Sequence, residues 1–249
     1  MLSTPVGIIT RGSLPHWYVP GAAHFVTYRL AGTLPAEALQ ALRDKKATLL
    51  RQPLVQGQTL AQHRAAAHKL LFADYDRFLD QSSIDWLKRP QVAALVRRNL
   101  YHHNGKKYHL LAYCVMPNHV HVLFIPIDPV GDAASVANQR DGDDDIGEGA
   151  DSRSPLSAIM HSLKSYTANE ANALLRRSGP FWQKESFDHW VRDEDELARI
   201  VAYISENPLK AGLVKSPHEW YFCSAHDRFL YDGDPCGFLP VGDAASVAL

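Results

Sequence analysis

Cysteine is scarce in this chain of 249 residues. Three occur, Cys114, Cys223 and Cys236, and no two stand in a Cys-x-x-Cys pair. That spacing excludes a disulfide framework and a structural zinc knuckle. No apolar run approaches the length of a membrane span. The opening residues, Met1 to Gly7, lack the basic and apolar regions of a secretory signal. A reducing cytoplasm is the expected setting. Acid is missing altogether from Trp86 to Ile127, a stretch that holds Lys88, Arg89, Arg97, Arg98, Lys106 and Lys107 together with His102, His103 and His109.

What is present is equally uneven. The formal net charge is −1, yet residues 127–153 carry eight acids and two arginines, and the tail from Tyr231 carries three acids and no base. Without these two segments the balance is 24 basic to 16 acidic residues. A polyanionic partner therefore fits the remainder, with Arg97, Arg98, Lys106 and Lys107 as candidate contacts. The segment 128–152, rich in Asp and Gly, predicts a disordered acidic insert, and 231–249 a flexible tail. Residues 1–127 and 153–230 form one domain on this reading. The octamer VGDAASVA occurs at 130–137 and again at 241–248. It is too short for a structural repeat and reads as a DNA duplication accepted where the fold tolerates additions.

Hydrophobic periodicity assigns the elements. His24 to Ala31 alternates and is rich in β-branched and aromatic residues, which predicts a strand. Helices are expected over 35–52, 59–79 and 91–102. Asn104-Gly105 marks a turn before a strand over 107–115, and a second strand covers 119–125. Ser154 is a good N-cap with Pro155 behind it, opening a helix that closes at Gly179-Pro180. Asn207-Pro208 to Gly212 reads as a helix-ending turn. The order predicts an α+β fold with helices on one face of an antiparallel sheet.

The chemistry concentrates in two places. His119 and His121 lie two apart on a predicted strand, so their imidazoles share a face and can bind one divalent metal, with Val120 and Val122 on the other face. The capped helix carries Tyr166, a phenol able to attack a phosphodiester, and Glu170 one turn further on, a possible third ligand. Imidazole with oxygen ligation suits Mg²⁺ or Mn²⁺. Lys164, Trp182, Lys184 and Arg192 can contact phosphates or stack on unpaired bases. His189 is open between a site and a core role, and packing is the simpler reading of Trp190.

The segments HFVTYRLAGTLP, CVMPNHVHVLF, IMHSLKSYTANEAN, GPFWQKESFDHWVRDEDEL and YISENPLKAGLV, in this order between Pro20 and Val214, resemble those of the REP-associated tyrosine transposases. These belong to the single-tyrosine transposases with an HUH motif (His, bulky apolar, His). The resemblance implies a ferredoxin-like or RRM-like antiparallel sheet with helices packed on it, the tyrosine helix following the HUH strand. It implies His119 and His121 as metal ligands, Tyr166 as nucleophile and, by its four-residue spacing, Glu170 as the third ligand. It implies single-stranded or hairpin DNA with REP-like palindromes as partner, action at the bacterial nucleoid, no membrane, and a monomer or homodimer. Cleavage and rejoining through a 5′-phosphotyrosine is the expected activity. A domesticated palindrome-binding protein that does not cut is the alternative.

Overall fold

The computed structural model describes residues 8–10, 16–127 and 154–231. The expected acidic insert, the tail and both octamers fall almost wholly outside that range. Among the described residues, two short strands, β1 (Ile8–Thr10) and β2 (His16–Tyr18), pair with each other. The main sheet consists of β3 (His24–Arg29), β4 (Tyr108–Val115), β5 (His119–Pro126) and β6 (Phe187–Trp190) in the order β4-β5-β3-β6, with every neighbour antiparallel. The helices are α1 (Ala36–Arg51), α2 (Leu60–Asp80), α3 (Pro90–His103), α4 (Pro155–Leu174), α5 (Glu194–Lys210) and α6 (Ser224–Tyr231). No helix among the described residues is long and apolar enough to cross a membrane.

The signal that opens α4 acts as expected. The Ser154 hydroxyl accepts the Ser157 N–H at 3.3 Å with Pro155 in the first turn, which satisfies an otherwise orphaned donor of α4. Asp193 does the same for α5, accepting from Glu196 N at 2.7 Å, and the acids Glu194, Asp195 and Glu196 complement the positive end of that helix. α5 ends within the turn expected over 207–212, where Gly212 takes a positive φ of 69°. The proline is accommodated in its last turn and the helix continues to Lys210.

The α+β class holds, but helices cover both faces of the sheet. Val26, Tyr28, Val120, Val122 and Phe124 pack with Val92, Val96 and Leu100 of α3 and Leu156, Ile159, Met160 and Leu163 of α4. On the opposite face Phe25, Ala112, Cys114 and Leu123 pack with Ile204 of α5, with Phe72 of α2 and Val201 of α5 alongside. The physical reason is that β3 and almost all of β5 are buried on both sides, and a strand apolar on both faces needs cover on both.

One buried polar cluster ties the layers at the sheet edge. Asp227 of α6 accepts from Arg97 at 2.6 Å, from Tyr101 at 2.7 Å and from the Tyr113 hydroxyl. Three donors converge on one carboxylate, and its loss strands a buried guanidinium. Asp227→Ala should therefore cost about 3–5 kcal/mol in a urea unfolding measurement. A cost below about 1 kcal/mol would show that the cluster is not a structural tie.

Candidate metal centre

His119 and His121 lie in the middle layer of the fold and are almost wholly buried. Period-two alternation along β5 aims both at the α2–α5 face. A buried imidazole needs partners for its nitrogens, and each Nδ1 has one. Asn118 Oδ1 lies 2.6 Å from His119 Nδ1, and Asn118 Nδ2 donates to the Leu79 carbonyl at 2.6 Å. The second bond fixes the amide orientation, so Asn118 Oδ1 accepts and His119 Nδ1 carries the proton. His119 Nε2 then presents a lone pair. Thr27, opposite His121 in the β3–β5 register, places its Oγ1 2.8 Å from His121 Nδ1. A hydroxyl donates or accepts, so His121 is free to present a lone pair at Nε2 as well.

The two Nε2 atoms are 3.0 Å apart, and Asp76 of α2 brings Oδ1 to 3.8 Å from His119 Nε2 and 3.5 Å from His121 Nε2. All three ligand atoms lie within 4.8 Å of one another. Ligand bonds of about 2.1 Å meeting at about 90° separate two nitrogens by about 3.0 Å. Asp76 Oδ1 is itself buried and accepts no hydrogen bond, whereas Oδ2 accepts from the Tyr203 hydroxyl at 2.6 Å. A buried acceptor without a donor, facing two imidazole nitrogens, is a donor set suited to a divalent cation.

The electrostatics agree with that chemistry. Burial, then the neighbouring His121, lowers the His119 pKa to about 3, with Asp76 opposing, so the imidazole stays neutral as a ligand must. For Asp76, burial acts to raise the pKa. The Tyr203 hydroxyl, which donates to Oδ2, is among the neighbours that outweigh it and hold the carboxyl below its usual range. Asp80, one turn along α2, is raised to about 6 by burial and then by the charge of Asp76. Burial and the same charge push the Tyr203 phenol up, which keeps it a donor. Phe25 stacks on His121 at 5.7 Å, and Phe72 and Tyr203 meet its ring edge-on at 6.2 and 5.3 Å.

The structure therefore joins the two histidines to Asp76, a residue without a motif to mark it. Glu170 is exposed on α4 and lies outside this cluster. Tyr166 is also exposed on α4, and the buried stripe of that helix belongs to the core on the other side of the sheet. The buried stripe of α4 thus packs on the sheet face opposite the histidines.

The candidate DNA contacts divide. Arg98, Lys106, Lys107, Lys184 and Arg192 are exposed. Arg97 is buried and held by Asp227. Trp182 is buried and donates to Thr167 at 2.9 Å. Lys164 donates to the carbonyls of Gln183 and Lys184 at 3.1 and 3.0 Å. His189 lies 3.0 Å from Glu196 and serves the start of α5. Lys107 donates to Ser162, one turn before Tyr166 on α4, which brings the basic turn beside the tyrosine.

The depressed pKa of His119 has a stability consequence. A neutral buried histidine favours folding above its unfolded pKa of about 6.5, and that contribution is lost as pH falls toward about 3. In chelator, lowering the pH from 7 to 5 should cost about 2 kcal/mol through this residue. His119→Gln should show a pH-dependent loss smaller by that amount in urea unfolding. Identical pH slopes for the two proteins would contradict it.

No family model matches the sequence. Over 120 residues, 48% of this chain, it is 25% identical to a Haemophilus influenzae (strain ATCC 51907 / DSM 11121 / KW20 / Rd) protein provisionally named a REP-associated tyrosine transposase. The chain spans 60% of that relative's length. A solved structure described as the REP-associated tyrosine transposase bound to a REP hairpin aligns over 94% of both chains, with 17% identity and a TM-score of 0.44. Over those 120 residues the chain is similar to that REP-associated tyrosine transposase.

Proposed function

We propose that this protein cleaves and rejoins single-stranded DNA beside palindromic hairpins, with Tyr166 as nucleophile and Mg²⁺ or Mn²⁺ held by His119, His121 and Asp76. The observation that carries the reading is the buried His-His-Asp cluster built on the segment CVMPNHVHVLF. Asp76 takes the third position that the family spacing suggests for Glu170. A bound divalent cation supplies Lewis-acid stabilisation of the charge on the phosphate oxygens.

The remaining chemistry belongs to the chain. The Tyr166 oxygen bonds to phosphorus as its proton leaves. The bond from phosphorus to the 3′-oxygen breaks, and that oxygen departs as a free 3′-hydroxyl. A 5′-phosphotyrosine remains, and attack by a 3′-hydroxyl reverses the step without ATP. The exposed cations Arg98, Lys106, Lys107, Lys184 and Arg192 hold the strand by its phosphates. α4 packs by its buried stripe on the sheet face opposite the histidines, and Tyr166 is exposed on it. The second reading is a protein that grips palindromic DNA without cutting it.

A hairpin oligonucleotide with single-stranded flanks, incubated with Mn²⁺ and resolved on a denaturing gel, separates these readings. Wild type should form a covalent adduct. Tyr166→Phe should form none, at least a thousandfold reduction, while binding the hairpin within about threefold. His121→Ala should lose both the adduct and its metal dependence. Tight hairpin binding without any wild-type adduct establishes the non-cutting reading. A free 3′-hydroxyl without an adduct, unaffected by Tyr166→Phe, establishes water as nucleophile.

A further inference from the structure

Asp76 uses its two oxygens differently. Oδ1 faces the two Nε2 atoms, and Oδ2 takes the Tyr203 hydroxyl at 2.6 Å. Tyr203 is in turn held: Asn207 Nδ2, one turn later on α5, donates to its oxygen at 3.1 Å. Asn207 is buried, so that donor is not exchanged freely for water. The Tyr203 ring is fixed from several sides, against Phe72 at 5.6 Å, Phe25 at 6.0 Å and His121 at 5.3 Å. The result is a chain of contacts from α5 through Tyr203 to a carboxylate on α2, ending at the histidines of β5.

We infer that Tyr203 is a positioning residue of the metal centre, with Asn207 as its own support. The inference rests on the reading of Asp76, His119 and His121 as metal ligands. An aspartate has two side-chain torsions, and its carboxylate is symmetric, so burial alone does not choose which way it faces. The Tyr203 hydroxyl makes that choice by occupying Oδ2. Oδ1 is left turned toward the imidazoles without a donor of its own. Asn118 and Thr27 do the same service for His119 and His121 at their Nδ1 atoms. Each of the three ligands thus has one partner that orients it, the pattern by which outer groups fix a metal site. The segment YISENPLKAGLV gains a physical task from this arrangement, because its tyrosine and asparagine are the pair concerned.

The test is Mn²⁺ binding by the full chain without DNA, read from the loss of the free-ion electron paramagnetic resonance signal, with melting temperature in chelator beside it. Tyr203→Phe keeps the ring and removes only the hydroxyl. It should weaken Mn²⁺ binding by about 10–100-fold and leave the melting temperature in chelator close to wild type. Tyr203→Leu, which removes the ring as well, should lower that temperature too. Asp76→Ala should abolish binding at this site. Wild-type affinity in Tyr203→Phe, with binding lost in Asp76→Ala, overturns the role of Tyr203 and leaves the metal centre standing. No Mn²⁺ binding by wild type overturns the metal centre and this inference with it. If Tyr203→Phe does not fold, Asn207→Ala decides: several-fold weaker binding supports the chain of contacts, and unchanged affinity overturns it.

Discussion

Two imidazoles buried side by side on one strand impose the constraint from which the rest of this structure follows. Neither can be left without hydrogen-bond partners at this depth. Their Nδ1 atoms are met by Thr27 from the neighbouring strand and by Asn118 from the turn ahead. Their Nε2 atoms converge at 3.0 Å, which requires an acceptor or a cation opposite. Asp76 supplies the acceptor, and with it α2 becomes part of the site. The Asn118 bond to the Leu79 carbonyl fastens the same helix a second time. Tyr203 completes the enclosure from α5.

The sheet that presents the histidines also divides the molecule. Its α2–α5 face holds the metal-ligand cluster, and its α3–α4 face holds the helix of Tyr166. The basic turn after α3 lies with the tyrosine through the contact of Lys107 with Ser162. Lys107 and the helix of Tyr166 thus lie on one side of the sheet, and the His-His-Asp cluster on the other.

Much of this was legible in the sequence, for reasons of period. The pairing of His119 with His121 on one face follows from strand alternation, and the helix of Tyr166 announces itself by Ser154 and Pro155. The cover on both faces was also written there, since VHVLF is apolar on its two sides, yet the order of the elements suggested helices on one face. Asp76 was not legible. It lies 43 positions before His119 in an amphipathic helix, and only the tertiary packing of α2 on the sheet brings it near. Glu170 was favoured because it shares a helix with Tyr166, a proximity in sequence that the fold does not convert into proximity to the histidines. Arg97 belonged to a basic run, but its partner Asp227 is 130 residues away. No local pattern separates a paired buried arginine from a free exposed one. Trp182 is similar: its indole finds Thr167 across a helix.

The most direct measurement is anomalous diffraction from crystals soaked in Mn²⁺. The account predicts one strong anomalous peak within about 2.3 Å of His119 Nε2, His121 Nε2 and Asp76 Oδ1. A peak that joins the histidines to Glu170 with Asp76 turned away, or ordered Mn²⁺ only at surface carboxylates, would contradict it.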